Sequence, residues 1–93
     1  SSKGEAIKKL KEFSKNSNLK IIGLGDSPND LPLLQQADYR IVISGINGPN
    51  KKLLDDLDVL NYVISDEPHG VGWQKEVKKI LRNLNADDYR FFL

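Results

Sequence analysis

Hydrophobic and polar positions alternate along the chain in two rhythms, one of helical period and one of short continuous apolar runs. Over residues 2–17, Ala6, Ile7, Leu10 and Phe13 recur at helical spacing with lysines around the rest of the circumference, which predicts an amphipathic helix. Ser2 and Glu5 have the spacing of a capping box at its start. The turn-forming Asn16-Ser17-Asn18 leads into Leu19-Lys20-Ile21-Ile22-Gly23-Leu24, an apolar run of strand length. A short helix is predicted over residues 28–36, a strand rich in β-branched residues over 39–43, and a polar loop over 44–50. A short helix over 51–57 and a third strand over 61–64 follow. After Ser65-Asp66-Glu67-Pro68-His69-Gly70, residues 71–84 bring Trp73, Val77, Ile80, Leu81 and Leu84 to one face of a last helix.

The order α-β-α-β-α-β-α, with connections too long for hairpins, predicts an α/β fold. Its form is a three-layer α/β/α, Rossmann-like arrangement around a mainly parallel sheet of about three strands. So small a sheet is expected to leave an edge exposed unless another polypeptide, or a second copy of the chain, pairs with it.

Composition narrows the partners. The chain has 93 residues, 39% hydrophobic and 29% charged, enough for one small domain or part of one. A net charge of +1 makes neither nucleic acid nor a membrane surface the expected partner, and no segment is long and apolar enough to span a bilayer. No signal-peptide pattern is present. The absence of cysteine excludes disulfides and thiolate metal sites and is compatible with the reducing cytoplasm, the expected location. The sequence also contains no methionine, so the chain is expected to be processed or to belong to a longer protein.

The chemistry concentrates where the first apolar run meets the second helix, in Gly25-Asp26-Ser27-Pro28-Asn29-Asp30. Asp26 stands at the predicted carboxyl end of a strand, where α/β sheets carry their sites, and Asp30 follows four positions later in the first helical turn. Two such carboxylates, completed by water and a phosphate, suit Mg²⁺, a hard ion that keeps part of its water shell. Calcium fits less well, because the spacing lacks the alternating ligands of an EF-hand loop. Ser27, Pro28 and Asp30 also satisfy a purely structural role as cap, first residue and acid of a helix start. That role leaves Asp26 without an explanation. Lys3 and Gly4 are likewise poor choices for a first helical turn, the lysine opposing the helix dipole and the glycine lowering helix propensity. A lysine beside free backbone N–H groups makes an anion site, although a solvated terminal lysine is the plainer alternative.

Lys3-Gly4-Glu5-Ala6 paired with Gly25-Asp26-Ser27-Pro28-Asn29-Asp30 resembles the third and fourth motifs of the haloacid dehalogenase (HAD) superfamily of phosphatases, in the Cof-like subgroup with a Lys-Gly-x-Ala third motif. The continuation Leu31-Pro32-Leu33-Leu34 and the later Glu67-Pro68-His69-Gly70-Val71-Gly72-Trp73 look most like the mannosyl-3-phosphoglycerate phosphatase family. The resemblance implies that residues 1–93 are the C-terminal portion of a HAD-like core domain, with the cap domain and the portion bearing the first and second motifs absent. It also implies a Mg²⁺-dependent phosphatase of a small sugar phosphate, expected to be mannosyl-3-phosphoglycerate, working through an aspartyl-phosphate whose nucleophile is not in this chain. On that resemblance Lys3 would pair with nucleophile and phosphate as the catalytic residue, and Asp26 and Asp30 would hold the metal. Ser27, Asn29 and Gly4 would hydrogen-bond around metal or substrate. Asp-x-Asp occurs only as Asp56-Leu57-Asp58, on the wrong side of the fourth motif, and reads as a solvated helix end. The chain alone is therefore expected to be inactive, with the missing N-terminal half of the same enzyme as its partner.

The remaining candidates have plain readings. His69 in its Pro/Gly loop reads as an exposed histidine, and Trp73 as a core anchor. Gly70 and Gly72 allow either backbone approach to a ligand or a helix entry. Residues 89–93 either pack back on the domain or form an association surface. Two alternative functions stand beside the phosphatase. One is a nucleotide- or phosphate-binding module using Gly23-Leu24-Gly25, an incomplete fingerprint whose following acids repel a diphosphate. The other is an interaction domain that recruits a strand at its sheet edge.

Overall fold

The computed structural model describes residues 2–14, 19–68, 73–83 and 88–92, without the side chains of residues 2, 3, 66–68, 83, 88, 89, 91 and 92. Among these residues four helices, α1 (Ser2–Phe13), α2 (Leu31–Gln36), α3 (Lys51–Leu57) and α4 (Trp73–Asn83), alternate with four strands, β1 (Leu19–Gly25), β2 (Tyr39–Ser44), β3 (Val63–Pro68) and β4 (Asp88–Phe92). A 3-10 turn, Pro28–Asp30, leads directly into α2, because Pro32 enters its first turn without needing a donor. The sheet order is β3-β2-β1-β4 and every pairing is parallel, as the crossover connections require.

Side-chain alternation on the two central strands assigns the helices to faces. Ile21 of β1 joins Ile7, Leu33 and Ala37 on one side, and Val42 of β2 joins Leu34, Leu53 and Leu57 on that same side. Ile22, Leu24 and Ile41 point the other way, against Val77 with Trp73, Ile80 and Leu81. Helices α1, α2 and α3 therefore cover one face and α4 the other, giving the three expected layers. Gly23 lies under α2, where a Cβ would come 3.0 Å from the Cβ of Ala37. The glycine lets helix and strand approach closely.

The three predicted strands are present, with shifted ends and one addition. The third begins at Val63 and runs to Pro68, later than the predicted 61–64, and its register on β2 shifts between Val42 and Ser44. There the buried Ser65 accepts from the Ser44 N–H through Oγ at 3.0 Å, while the Ser44 hydroxyl donates to the Ser65 carbonyl at 3.0 Å. Two hydroxyls thus satisfy backbone groups that the irregular ladder would strand. The C-terminal segment packs back as β4, parallel to β1 over Leu19↔Asp88 to Gly23↔Phe92. Helix α1 ends at Phe13, earlier than predicted, and its buried stripe is Gly4 and Ile7, with Leu10 half-buried beside them. Ala6 is exposed and Phe13 is 81% exposed, so both fall outside the core.

The amino end of the sheet is fastened by side chains. Asp38 accepts the Ile21 N–H at 2.8 Å and pairs with Lys11 at 3.3 Å. Arg40 donates from Nε to the Leu34 carbonyl at 2.7 Å, from Nη2 to that of Ala37 at 2.8 Å and from Nη1 to that of Asn61 at 3.1 Å. It closes the last carbonyls of α2. Burial lowers its pKa from the ordinary arginine value, and the neighbouring Asp38 charge opposes that shift.

Candidate functional site

At the opposite, carboxyl end of the sheet, the apolar strand β1 stops at Gly25 and the chain turns through Asp26 and Ser27 into the 3-10 turn. The turn is held by Asp30, whose Oδ2 accepts the N–H of Asp26 at 2.9 Å and of Ser27 at 3.2 Å. The Asp30 N–H in return donates to the Ser27 carbonyl at 2.9 Å. Gly25 makes this possible. A Cβ there would stand 2.6 Å from the Cβ of Asp30, a separation side chains do not tolerate. Glycine before the aspartate thus serves the close approach of the second acid over the strand end.

The two acids consequently differ. Asp30 is half-buried and one of its oxygens is committed to backbone donors, which leaves Oδ1. Asp26 is exposed, and its carboxylate accepts no hydrogen bond from a described residue. Asn29 is exposed beside them, and Ser27 is half-buried. Asp26 also lines a concavity of about 310 Å³ with Ile43, Ser44, Asn47 and Asn50, walled by the turn that follows β2. That turn is fixed by paired bonds between Gly45 and Gly48 at 3.0 and 3.1 Å, with Gly48 at φ 97°, where a side chain would be strained. Asn50 caps α3 by accepting the Leu53 N–H at 2.9 Å.

Residues 44–50 read only as a loop in the sequence, and the structure places Ser44, Asn47 and Asn50 beside Asp26. The signal was available, since β2 ends there and the same strand-end rule that picks out Asp26 applies to it. Lys3 lies in the first turn of α1, and its side chain is not among those described. Its neighbour Gly4 is buried, with the position of a Cβ only 3.1 Å from Pro32, so the glycine has a packing role where α1 crosses the start of α2. This contact brings the beginning of α1 to the end of the sheet that carries Asp26 and Asp30. Trp73 packs on the α4 face, as an anchor of the core. His69, Gly70 and Gly72 lie outside the described residues.

Asp26 and Asp30 supply hard oxygen donors of the kind Mg²⁺ takes, and the committed Oδ2 orients the Asp30 carboxylate while keeping its other oxygen available. Among the described residues no cluster of three or more His, Cys, Asp or Glu could hold a metal ion. The pair therefore fits part of the shell of Mg²⁺, an ion that usually keeps several waters. No helix among the described residues is long and apolar enough to cross a membrane.

Comparison with known proteins gives the family. The profile of the haloacid dehalogenase-like hydrolases matches residues 1–56, which include Lys3, Asp26, Asp30 and the turn after β2. A glucosyl-3-phosphoglycerate/mannosyl-3-phosphoglycerate phosphatase of Persephonella marina is 28% identical over 85 residues, covering 88% of this chain and 30% of the relative. A phosphoglycolate phosphatase of Sulfurisphaera tokodaii is 29% identical over 82 residues, covering 88% of this chain and 33% of the relative. The chain spans about a third of the length of these relatives. No solved structure matches it.

Proposed function

The chain belongs to the haloacid dehalogenase-like hydrolases, and on that footing we propose that it is the C-terminal core portion of a Mg²⁺-dependent phosphatase acting on a small sugar phosphate. The observation that carries this reading is Asp26, an exposed carboxylate at the carboxyl end of β1 beside an Asp30 held in place by two backbone donors. Nothing in the packing of the described residues requires an acid at position 26.

In the complete enzyme, Asp26 and the available oxygen of Asp30 would hold Mg²⁺, which when bound supplies positive charge against the phosphate. Lys3, at the start of α1, is assigned to neutralise the nucleophile and the phosphate. An aspartate outside this chain attacks phosphorus, the P–O bond to the ester oxygen of the substrate breaks, and that oxygen takes a proton from an acid that is also outside this chain. Water then cleaves the acyl phosphate, releasing inorganic phosphate and restoring the carboxylate. Ser27 and Asn29 help to orient the acids, and Gly4 sets the approach of α1. Two relatives act, by name, on phosphoglycerates bearing a hexose and on phosphoglycolate, both phosphate esters of small hydroxy acids. A mannosyl-3-phosphoglycerate substrate accords with the first and with the sequence around residues 67–73.

The dinucleotide alternative loses its main feature. Gly23 faces Ala37 and Gly25 faces Asp30, so neither glycine is left for close approach of a pyrophosphate.

Phosphate release by the complete protein tests the proposal, with mannosyl-3-phosphoglycerate, glucosyl-3-phosphoglycerate and phosphoglycolate as substrates, in Mg²⁺ and in EDTA. Mg²⁺-dependent release, lost in Asp26→Asn, is expected. Release that persists in EDTA, or in Asp26→Asn, would refute it.

A further inference from the structure

The concavity of about 310 Å³ that Asp26 shares with the turn after β2 reaches the size of small-ligand sites. Its wall is held by bonds made within the chain. Strand β2 runs between β1 and β3, Gly45 and Gly48 exchange two backbone hydrogen bonds, and Asn50 caps α3 just beyond them. Ile46 and Asn47 form the tip of the turn, and both are exposed.

The polar side chains that line the concavity are not equally available. The Ser44 hydroxyl donates to the Ser65 carbonyl, and Oδ1 of Asn50 accepts the Leu53 N–H. Asn47 differs from both, because its amide bonds to no described residue and keeps its donors and its acceptor open to a ligand. Turns favour asparagine for two reasons, its tolerance of positive φ and its side-chain bonds to nearby backbone. Neither is in use here. Among the described non-glycine residues only Asp58 has positive φ, and the Asn47 side chain makes no such bond.

Charge decides which part of a substrate suits this lining. With Asp26 assigned to the metal, the rest of the described lining is uncharged, so a carboxylate or a phosphate gains no protein cation there. An amide both donates and accepts, and a sugar hydroxyl does the same, whereas ionised phosphate and carboxylate oxygens only accept.

We propose that Asn47 is a specificity-determining residue, which hydrogen-bonds hydroxyls of the sugar carried by the substrate in the concavity beside Asp26. Ile43 and Ile46 add apolar surface for the C–H groups of the same ring. This inference rests on the phosphatase reading, and its test separates the two.

Asn47→Ala in the complete enzyme is assayed with mannosyl-3-phosphoglycerate, glucosyl-3-phosphoglycerate and phosphoglycolate as substrates and with inorganic phosphate as inhibitor. For the hexosyl esters kcat/KM is expected to fall about tenfold, chiefly through KM, as the loss of a hydrogen bond made to substrate and transition state alike. Inhibition by inorganic phosphate, which carries no sugar, should stay within about twofold of the unmodified enzyme, whereas damage to the fold or to the metal site would weaken it as well. Unaltered hydrolysis of the hexosyl esters would overturn the role of Asn47, and so would an equal loss of phosphate inhibition. Hydrolysis of phosphoglycolate but of neither hexosyl ester would overturn it too, by removing the sugar from the substrate. If the unmodified enzyme hydrolyses none of the three, the phosphatase reading fails instead.

Discussion

The two ends of the sheet carry acids of the same type in opposite circumstances. At the amino end, Asp38 accepts the Ile21 N–H and pairs with Lys11, and the guanidinium of Arg40 reaches three carbonyls. At the carboxyl end, Asp30 commits one oxygen to two backbone donors, while the Asp26 carboxylate stands exposed. Residue type and strand-end position are thus not enough to distinguish scaffold from site. What distinguishes them is whether the carboxylate oxygens are already used.

The largest expected effect lies on activity and falls at the exposed end. Asp26→Asn should reduce phosphate release by the complete enzyme by more than ~100-fold, yet change the unfolding free energy of this chain in urea by no more than ~0.5 kcal/mol. An equal loss of stability would place Asp26 among the fastening residues. Gly25→Ala should affect both properties, because its methyl displaces Asp30. Unfolding free energy is expected to fall by ~1–3 kcal/mol, with activity falling at least tenfold per folded molecule.

Arg40→Met keeps the apolar stem and removes all three donors, and should cost ~1.5–3 kcal/mol in denaturant unfolding. Asp38→Ala strands the Ile21 N–H and should cost ~1–3 kcal/mol. Both variants should retain the activity of the enzyme per folded molecule, and a change in metal dependence would break the contrast between the ends. The smallest effect is expected at Phe13→Ser, within ~0.5 kcal/mol, because that ring is 81% exposed.

Much of this fold was legible in the sequence because its patterns are local. Continuous apolar runs at 19–24 and 39–43 could bury on both faces only as central strands, and α3 spans the predicted residues. Phe13 misled because spacing alone selects a stripe, whereas the helix rotates to bury Gly4 and Ile7 against α2 and β1. The displaced β3 depends on paired hydroxyls, Ser44 and Ser65, that meet only through the sheet. Strand β4 depends on a free flank of β1, which is a property of the assembled sheet and of no segment alone. Within the candidate site, the acidic turn was legible as a cluster of acids at a strand end. The use of Asp30 Oδ2 as a clamp, the meaning of Gly25 and the approach of residues 44–50 to Asp26 all needed coordinates.

Paramagnetic Mn²⁺, a hard-ligand substitute for Mg²⁺, tests the central contrast most directly when titrated into the isotopically labelled chain. Amide resonances of residues 25–30 should broaden first, those of Asp38 and Ile21 should stay sharp, and Asp26→Asn should abolish the effect. Broadening centred on Asp38 or on Asp55, Asp56 and Asp58, or broadening unaltered by Asp26→Asn, would contradict it.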